Sequence, residues 1–412
     1  MLFKSMTGLV LVSVALALPA AAGNLRQATT DPARDWDPTW SPDGSRLAFT
    51  SDRSGRSQLW VMSSTGDNQA RITNETDYHP AWSPDGRLIA FTSERSGNQD
   101  LWSIRPDGRR VRQITVSRFR DESFGWSHGG ERVTFDSNRG GSWDIWTIPT
   151  EGGTATRLTD HAALDAGPNG SRDGSRIAFT SSREEAMDLW VVPSNGGTPT
   201  RLTSGPETDV GPDWSPDDAL ITFGSDRNGN WDIWIVPAAG GRPWPLTTDA
   251  ADDIHAAWSP DGSRIAFTSN REGNDDVWIL DVVGVTGCLA LSDDPLAAGR
   301  VRLSQPGRQR RWADTDMGGC FSHYALREGK KFKLKIGGPE ITVGGAEVGA
   351  CFSLNDEPLA ARKVILRQPG YRAQRRRSGD DGCVLFEDLA VGATFKLNLK
   401  GPRVVTSGEA DD

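Results

Sequence analysis

The sequence predicts an all-β fold, a six-bladed β-propeller closed by an N-terminal strand, and three observations carry that prediction. A segment of about 44 residues recurs six times, with its second tryptophan at Trp60, Trp102, Trp146, Trp190, Trp234 and Trp278, in steps of 42, 44, 44, 44 and 44. Each copy opens on a WSPDG-type turn led by Trp40, Trp82, Trp126, Trp214 or Trp258, with Gly170 standing in the fourth. Between the landmarks lie short runs of β-branched and aromatic residues bounded by Gly, Pro, Asn and Asp, the pattern of strands and turns. A period of ~40–45 residues with four short strands marks a propeller blade. One blade cannot bury both of its faces, so the copies must stack.

The second copy shows how each element arises. Pro80-Ala81-Trp82 leads into Ser83-Pro84-Asp85-Gly86, where proline fixes φ and glycine accepts a positive one. Leu88 to Ser93 is apolar enough to be covered on both faces. Ser96-Gly97-Asn98 turns the chain, Asp100 to Ile104 is a third strand, and Gln113-Ile114-Thr115 a fourth. The last copy ends at Leu280 without a fourth strand, while Arg26 to Thr29 matches Arg71-Ile72-Thr73 and Arg201-Leu202-Thr203. The N-terminal segment is therefore expected to complete the sixth unit and remove an open edge. The propeller is assigned to residues 24–281.

Residues 1–22 combine Lys4, an apolar LVLVSVALAL run and Ala20-Ala21-Ala22, the layout of a cleavable secretory signal. No cysteine stands near that cleavage site, which argues against a lipid anchor. The protein is expected to be periplasmic or secreted, with no membrane span. Net charge is −9, unevenly placed: residues 282–412 hold 20 basic and 16 acidic side chains, a balance of +4, so residues 1–281 carry −13. An acidic propeller argues against nucleic acid, whose phosphates require a basic face.

The WSPDG and DIW elements of residues 25–281 resemble the TolB family of bacterial propellers, whose repeats carry the same elements, and that resemblance implies the propeller architecture. A second repeat, of period 63, fills residues 285–403. VTGCLALSDDPLAAGRVRLSQPG opens one copy and VGACFSLNDEPLAARKVILRQPG the other. These resemble carboxypeptidase regulatory-like, transthyretin-like β-sandwich modules, placed at 284–340 and 346–404, with an acidic tail at 405–412. All four cysteines lie here, and an exported chain favours disulfides over metal ligation. Cys288 to Cys320 and Cys351 to Cys383 share a spacing of 32, which predicts one bond inside each copy, each copy then folding separately. Bonds between 288 and 351 and between 320 and 383 are the competing connectivity.

Several residues recur in phase. Arg53, Arg95, Arg139, Arg183, Arg227 and Arg271 are each followed five residues later by Gln58, Asp100, Asp144, Asp188, Asp232 or Asp276, the pattern of a structural ion pair. Asp35, Asp77, Asp121, Asp165, Asp209 and Asp253 open the innermost strand of each copy. They read either as turn caps or as a carboxylate ring at the channel mouth, open to a basic partner or to a cation such as Ca²⁺. His79 and His255 share one phase, two residues after that Asp, whereas His128, His161 and His323 do not. No G-x-S-x-G elbow is present, so a prolyl-oligopeptidase-type hydrolase is not expected. The reading is an exported, non-enzymatic binding or scaffold protein with an envelope or extracellular protein partner and no cofactor. The alternative is a metal-dependent lyase or hydrolase acting on a polysaccharide at the channel.

Overall fold

The computed structural model describes residues 25–282 and, beyond them, 285–291, 294–295, 300–304, 311–314, 320–323, 331–340, 346–354, 357–367, 373–389 and 394–403. The expected signal segment 1–22 and acidic tail 405–412 lie outside the described residues. The chain divides into two compact units, and residues 25–280 form one of them. No described helix is long and apolar enough to cross a membrane.

Residues 25–280 fold into six four-stranded antiparallel sheets. In the second sheet the strands are Asp77–Trp82, Ile89–Ser93, Asp100–Ile104 and Arg112–Gln113, from innermost to outermost. The other innermost strands are Asp35–Trp40, Asp121–Trp126, Asp165–Gly170, Asp209–Trp214 and Asp253–Trp258. Each innermost strand neighbours those of the preceding and following sheets, and the first neighbours the sixth. These are the repeated sheets of a propeller. Apolar contact between sheets supplies the core. Ala48, Leu59 and Val61 of the first sheet interlock with Trp82, Ile89, Phe91 and Ile104 of the second. Phe49, Phe91, Phe135, Phe179, Phe223 and Phe267 are fully buried at equivalent places.

Leu25–Gln27 adds to the sixth sheet as its outermost strand, pairing Leu25 with Leu280 and Gln27 with Trp278. The link repeats the chemistry of the internal outer strands. In the second sheet Thr115 Oγ1 donates to Asp100 and accepts from Leu101 N. In the sixth, Thr29 Oγ1 donates to Asp276 at 2.9 Å and accepts from Val277 N at 2.9 Å. Ala28 then joins a cluster with Trp40, Phe49, Ala266, Val277 and Ile279, which packs the first sheet on the sixth. The indole of Trp40 donates to Ala257 O across the same seam, as Trp126 does to Ala81 O and Trp214 to Asn169 O.

In the C-terminal unit the two sequence copies do not form separate sheets. One six-stranded sheet joins the copies through Val285–Leu291 and Ala346–Leu354, and the other joins them through Lys331–Glu340 and Thr394–Arg403. This corrects the expectation of two separately folding modules. About 60 residues bury little core, and pairing across the copies enlarges each sheet. Leu334, Phe352, Val364, Phe386, Leu397 and Leu399 are among its buried residues. Backbone register sets Cys288 opposite both Cys320 and Cys351, and Cys351 opposite Cys383. No free cysteine occurs among the described residues.

Candidate functional site

The repeated arginines and aspartates form a pair that the sequence spacing misassigned. Each arginine bonds the aspartate that opens its own innermost strand, 18 residues earlier, rather than the acid five residues later. Contact distances run from 2.5 Å (Arg53–Asp35 and Arg139–Asp121) through 2.6 Å (Arg183–Asp165 and Arg227–Asp209) and 2.7 Å (Arg95–Asp77) to 2.8 Å (Arg271–Asp253). The physical reason is strand register: Asp77 lies opposite Ser93, and Arg95 leaves the hairpin two residues later. The guanidinium also bonds that serine and stacks over the buried Phe and the second Trp of its sheet, as Arg95 does over Phe91 and Trp102. The acid five residues on serves the outer strand instead, as Asp100 serves Gln113 and Thr115.

The six strand-opening aspartates are therefore buried and paired, with Asp209 the least covered at 1% exposure. An open carboxylate ring at the mouth is not formed, because each carboxylate is consumed by its own arginine. Burial is the main influence on Asp35 and raises its pKa against the pull of Arg53 and Ser51.

His79 and His255 are brought together, and the group that joins them is Asp37, a residue missed in the sequence. His255 Nδ1 lies 2.8 Å from Asp37 Oδ1, and His79 Nε2 lies 3.4 Å from Oδ2. All three stand two residues after the strand-opening aspartate, in the sixth, first and second sheets. All three adopt left-handed backbone, with φ of 54° at His255, 53° at Asp37 and 51° at His79. In the fourth and fifth sheets the same position is Gly167 and Gly211, at 61° and 63°. The innermost strands slip register here, as between Tyr78 and Ala81, and the slip creates the left-handed residue. The signal was present in the sequence as D-x-D, D-x-H and D-x-H, but its meaning depended on the bulge.

The cluster is asymmetric in exposure. The Asp37 side chain is 10% exposed, while His79 and His255 are 45% and 41% exposed. Burial opposes the Asp37 carboxylate, yet His255 and His79 outweigh it and hold its pKa at about 2. Burial likewise opposes the charged imidazole of His255, but Asp37, with help from Asp275, raises it. With Nδ1 of His255 and Nε2 of His79 turned to Asp37, His255 Nε2 and His79 Nδ1 remain for a ligand. A Cβ built at Gly167 or Gly211 meets nothing within 4 Å, so that arc of the ring is open. Trp36 and Tyr78 precede Asp37 and His79 in the chain and are half-buried. Among the described residues no group of three or more His, Cys, Asp or Glu side chains is arranged to hold a metal ion. His128 and His161 are exposed elsewhere.

Residues 74–173 match the TolB beta propeller domain family, and residues 141–231 match the Tricorn protease N-terminal beta propeller domain. Both matched families are β-propellers, the fold that the repeated sheets form. Among solved structures, putative TolB from Agrobacterium tumefaciens is 24% identical, with a TM-score of 0.51, over 62% of this chain and 93% of that one. TolB from Acinetobacter baumannii is also 24% identical, with a TM-score of 0.49, over 56% of this chain; the match spans 59% of that protein. An oligogalacturonate lyase from Vibrio parahaemolyticus is 12% identical, with a TM-score of 0.47, over 62% and 93% of the two chains. The likeness to the Agrobacterium protein, at 24% identity, speaks to fold alone, since one fold hosts many functions.

Proposed function

We propose that this protein is an exported, non-enzymatic binding protein of the bacterial envelope, periplasmic or secreted. A six-bladed TolB-like propeller, closed by its N-terminal strand, presents one channel mouth to a protein or ligand. The observation that carries the reading is the His79–Asp37–His255 cluster. Three non-glycine residues hold left-handed backbone where two sister sheets use glycine, and such strain persists where surrounding structure enforces it for a purpose. The imidazoles are half-exposed beside an open glycine arc, so the site is built to meet something. Capture from native envelope by immobilised protein, compared with a His79→Ala/His255→Ala variant, tests it. Retention of a defined partner by the parent and its loss from the folded variant is the expected result. Equal retention by both would sink the role of the channel.

A second reading, a metal-dependent lyase or hydrolase acting on a polysaccharide, is favoured by one feature only. Two imidazoles backed by a shared carboxylate keep one ring nitrogen each for a cation or a proton. Equilibrium dialysis with Mn²⁺ or Ca²⁺, and assay on acidic polysaccharides, distinguish it from binding. In the C-terminal unit we propose bonds Cys288–Cys320 and Cys351–Cys383, which the opposed register supports. Peptide mapping without reductant would show a 288–351 peptide pair if the copies are cross-linked instead.

A further inference from the structure

One rim of the propeller differs in charge from its sister rims, independently of the channel. Residues 105–120 run from the turn after Asp100–Ile104, through the outermost strand Arg112–Gln113, to the start of the third sheet. They hold Arg105, Arg109, Arg110, Arg112, Arg118 and Arg120 against Asp107 alone, a balance of 6 − 1 = +5. The equivalent segments 63–76, 149–164, 193–208 and 237–252 balance at −1, −1, 0 and −1. This basic rim therefore stands on an N-terminal region that totals −13.

Two of these arginines are already used. Arg112 pairs with Glu151 of the third sheet, and Arg120 reaches Glu122 at 2.7 Å and Gln99 at 2.8 Å. Arg105, Arg109, Arg110 and Arg118 are exposed and have no carboxylate partner among the described residues. Arg118 lies over the ring of Phe119 at 5.0 Å. The same segment carries Val116 at 84% exposure and Val111 at 42%, two of the three large apolar residues exposed among the described residues. Arginine with exposed apolar side chains is the composition of protein interfaces.

We propose that this rim docks an extended, acidic polypeptide segment of a partner protein along the outer edge of the second sheet. Arg112–Gln113 is the terminal strand of its sheet, so one side of its backbone is left without a strand neighbour. Charge complementarity names the occupant as acidic. The neighbouring rims decide its shape. A flat anionic lipid layer would also meet the −1 rims of the first and third sheets, whereas a single extended chain meets this edge alone. Screening over ~8 Å at physiological salt keeps the patch distinct from the acidic remainder.

The test uses the full chain and a short fluorescein-labelled peptide alternating glutamate and threonine, read by anisotropy. A lysine–threonine peptide and phosphatidylglycerol-containing vesicles serve as comparators. Binding of the glutamate peptide, weakening as salt rises, is expected. Changing Arg105, Arg109 and Arg118 together to Glu is expected to cut its affinity at least about tenfold, and His79→Ala is expected to leave it unchanged. Should the triple variant lose its cooperative thermal transition, Arg118→Glu alone replaces it, with a loss of about threefold expected. The proposal is overturned if the glutamate peptide does not bind at low salt, if the charge reversals leave its affinity unchanged, or if the vesicles bind through these arginines and the peptide does not.

Discussion

Two arcs of the same ring solve the same backbone problem in different ways. In the fourth and fifth sheets the left-handed residue of the innermost strand is glycine, which occupies that region at little cost. In the sixth, first and second sheets it is His255, Asp37 and His79. The strands are otherwise equivalent, with the same buried Asp–Arg pair and the same register slip. Repetition therefore specifies the scaffold, and departures from it specify what a single arc does. The glycine arc leaves space; the charged arc fills it with two imidazoles around one carboxylate.

The largest effect tests what both arcs depend on, the closure of the ring. Removing Leu25–Thr29 strips the outer strand from the sixth sheet together with the Thr29–Asp276 latch and the buried Ala28. The sixth sheet then ends on an open, apolar strand, Asp276–Asp281. Loss of several kcal/mol and self-association are expected. Unchanged thermal unfolding and a monodisperse elution profile would show that closure contributes little.

Next in size is the buried pair common to all six sheets. Arg183→Leu leaves Asp165, 0% exposed, without its guanidinium. A buried charge that loses its partner costs about 3–5 kcal/mol. Denaturant titration should show that loss equally for Arg95→Leu on the charged arc, because the pair belongs to the scaffold and not to the site. A much smaller cost on either arc would break the equivalence drawn between them.

What the sequence made legible follows this division. The six units, their strands and the closing segment could be read because each is enforced six times by packing: Phe91 and Trp102 have counterparts in every copy. The partner of Arg95 could not be read from spacing, since both Asp77 and Asp100 lie within reach of a hairpin and only register chooses between them. Asp37 was hidden for a similar reason. Its meeting with His79 and His255 needs ring neighbours that are distant in sequence, the sixth sheet being set beside the first by closure. The joined C-terminal copies were missed because a repeat of period 63 does not say whether its copies pair internally or with one another.

A smaller effect sharpens the contrast at a single position. Asp136 stands where four sister sheets carry Thr50, Thr92, Thr180 and Thr268. It is buried, and its Oδ2 accepts from Gly167 N, on the glycine arc. Thr268 Oγ1 makes the corresponding bond to Asp37 N on the charged arc. Burial pushes Asp136 up to about 8. A carboxyl protonated when folded and ionised when unfolded loses stability as pH rises from about 4 to about 8. Asp136→Thr keeps an acceptor for Gly167 and should remove that slope. A gain of about 1–3 kcal/mol at pH 8 is expected, read as a rise in Tm relative to the parent. No gain at pH 8 would mean that the carboxyl is better accommodated than its burial implies.

The smallest effect in stability is the most informative about function. If the charged arc is strained for a purpose, His79→Gly should stabilise the fold by up to about 1 kcal/mol, since glycine relieves the left-handed penalty. The same change removes one of the two exposed imidazoles, so partner capture should fall as stability rises. Asp37→Asn separates charge from backbone. It removes the carboxylate that lifts His255, so the His255 titration followed by NMR should move downward. The parent's stability gains from a raised imidazole pKa only while that imidazole is protonated, and this gain fades as pH rises from about 6.5 through the raised folded value. In Asp37→Asn the fade should vanish. A His255 titration unmoved by Asp37→Asn would mean that the three residues share a backbone conformation without acting together, leaving the charged arc no chemical advantage over its glycine counterpart.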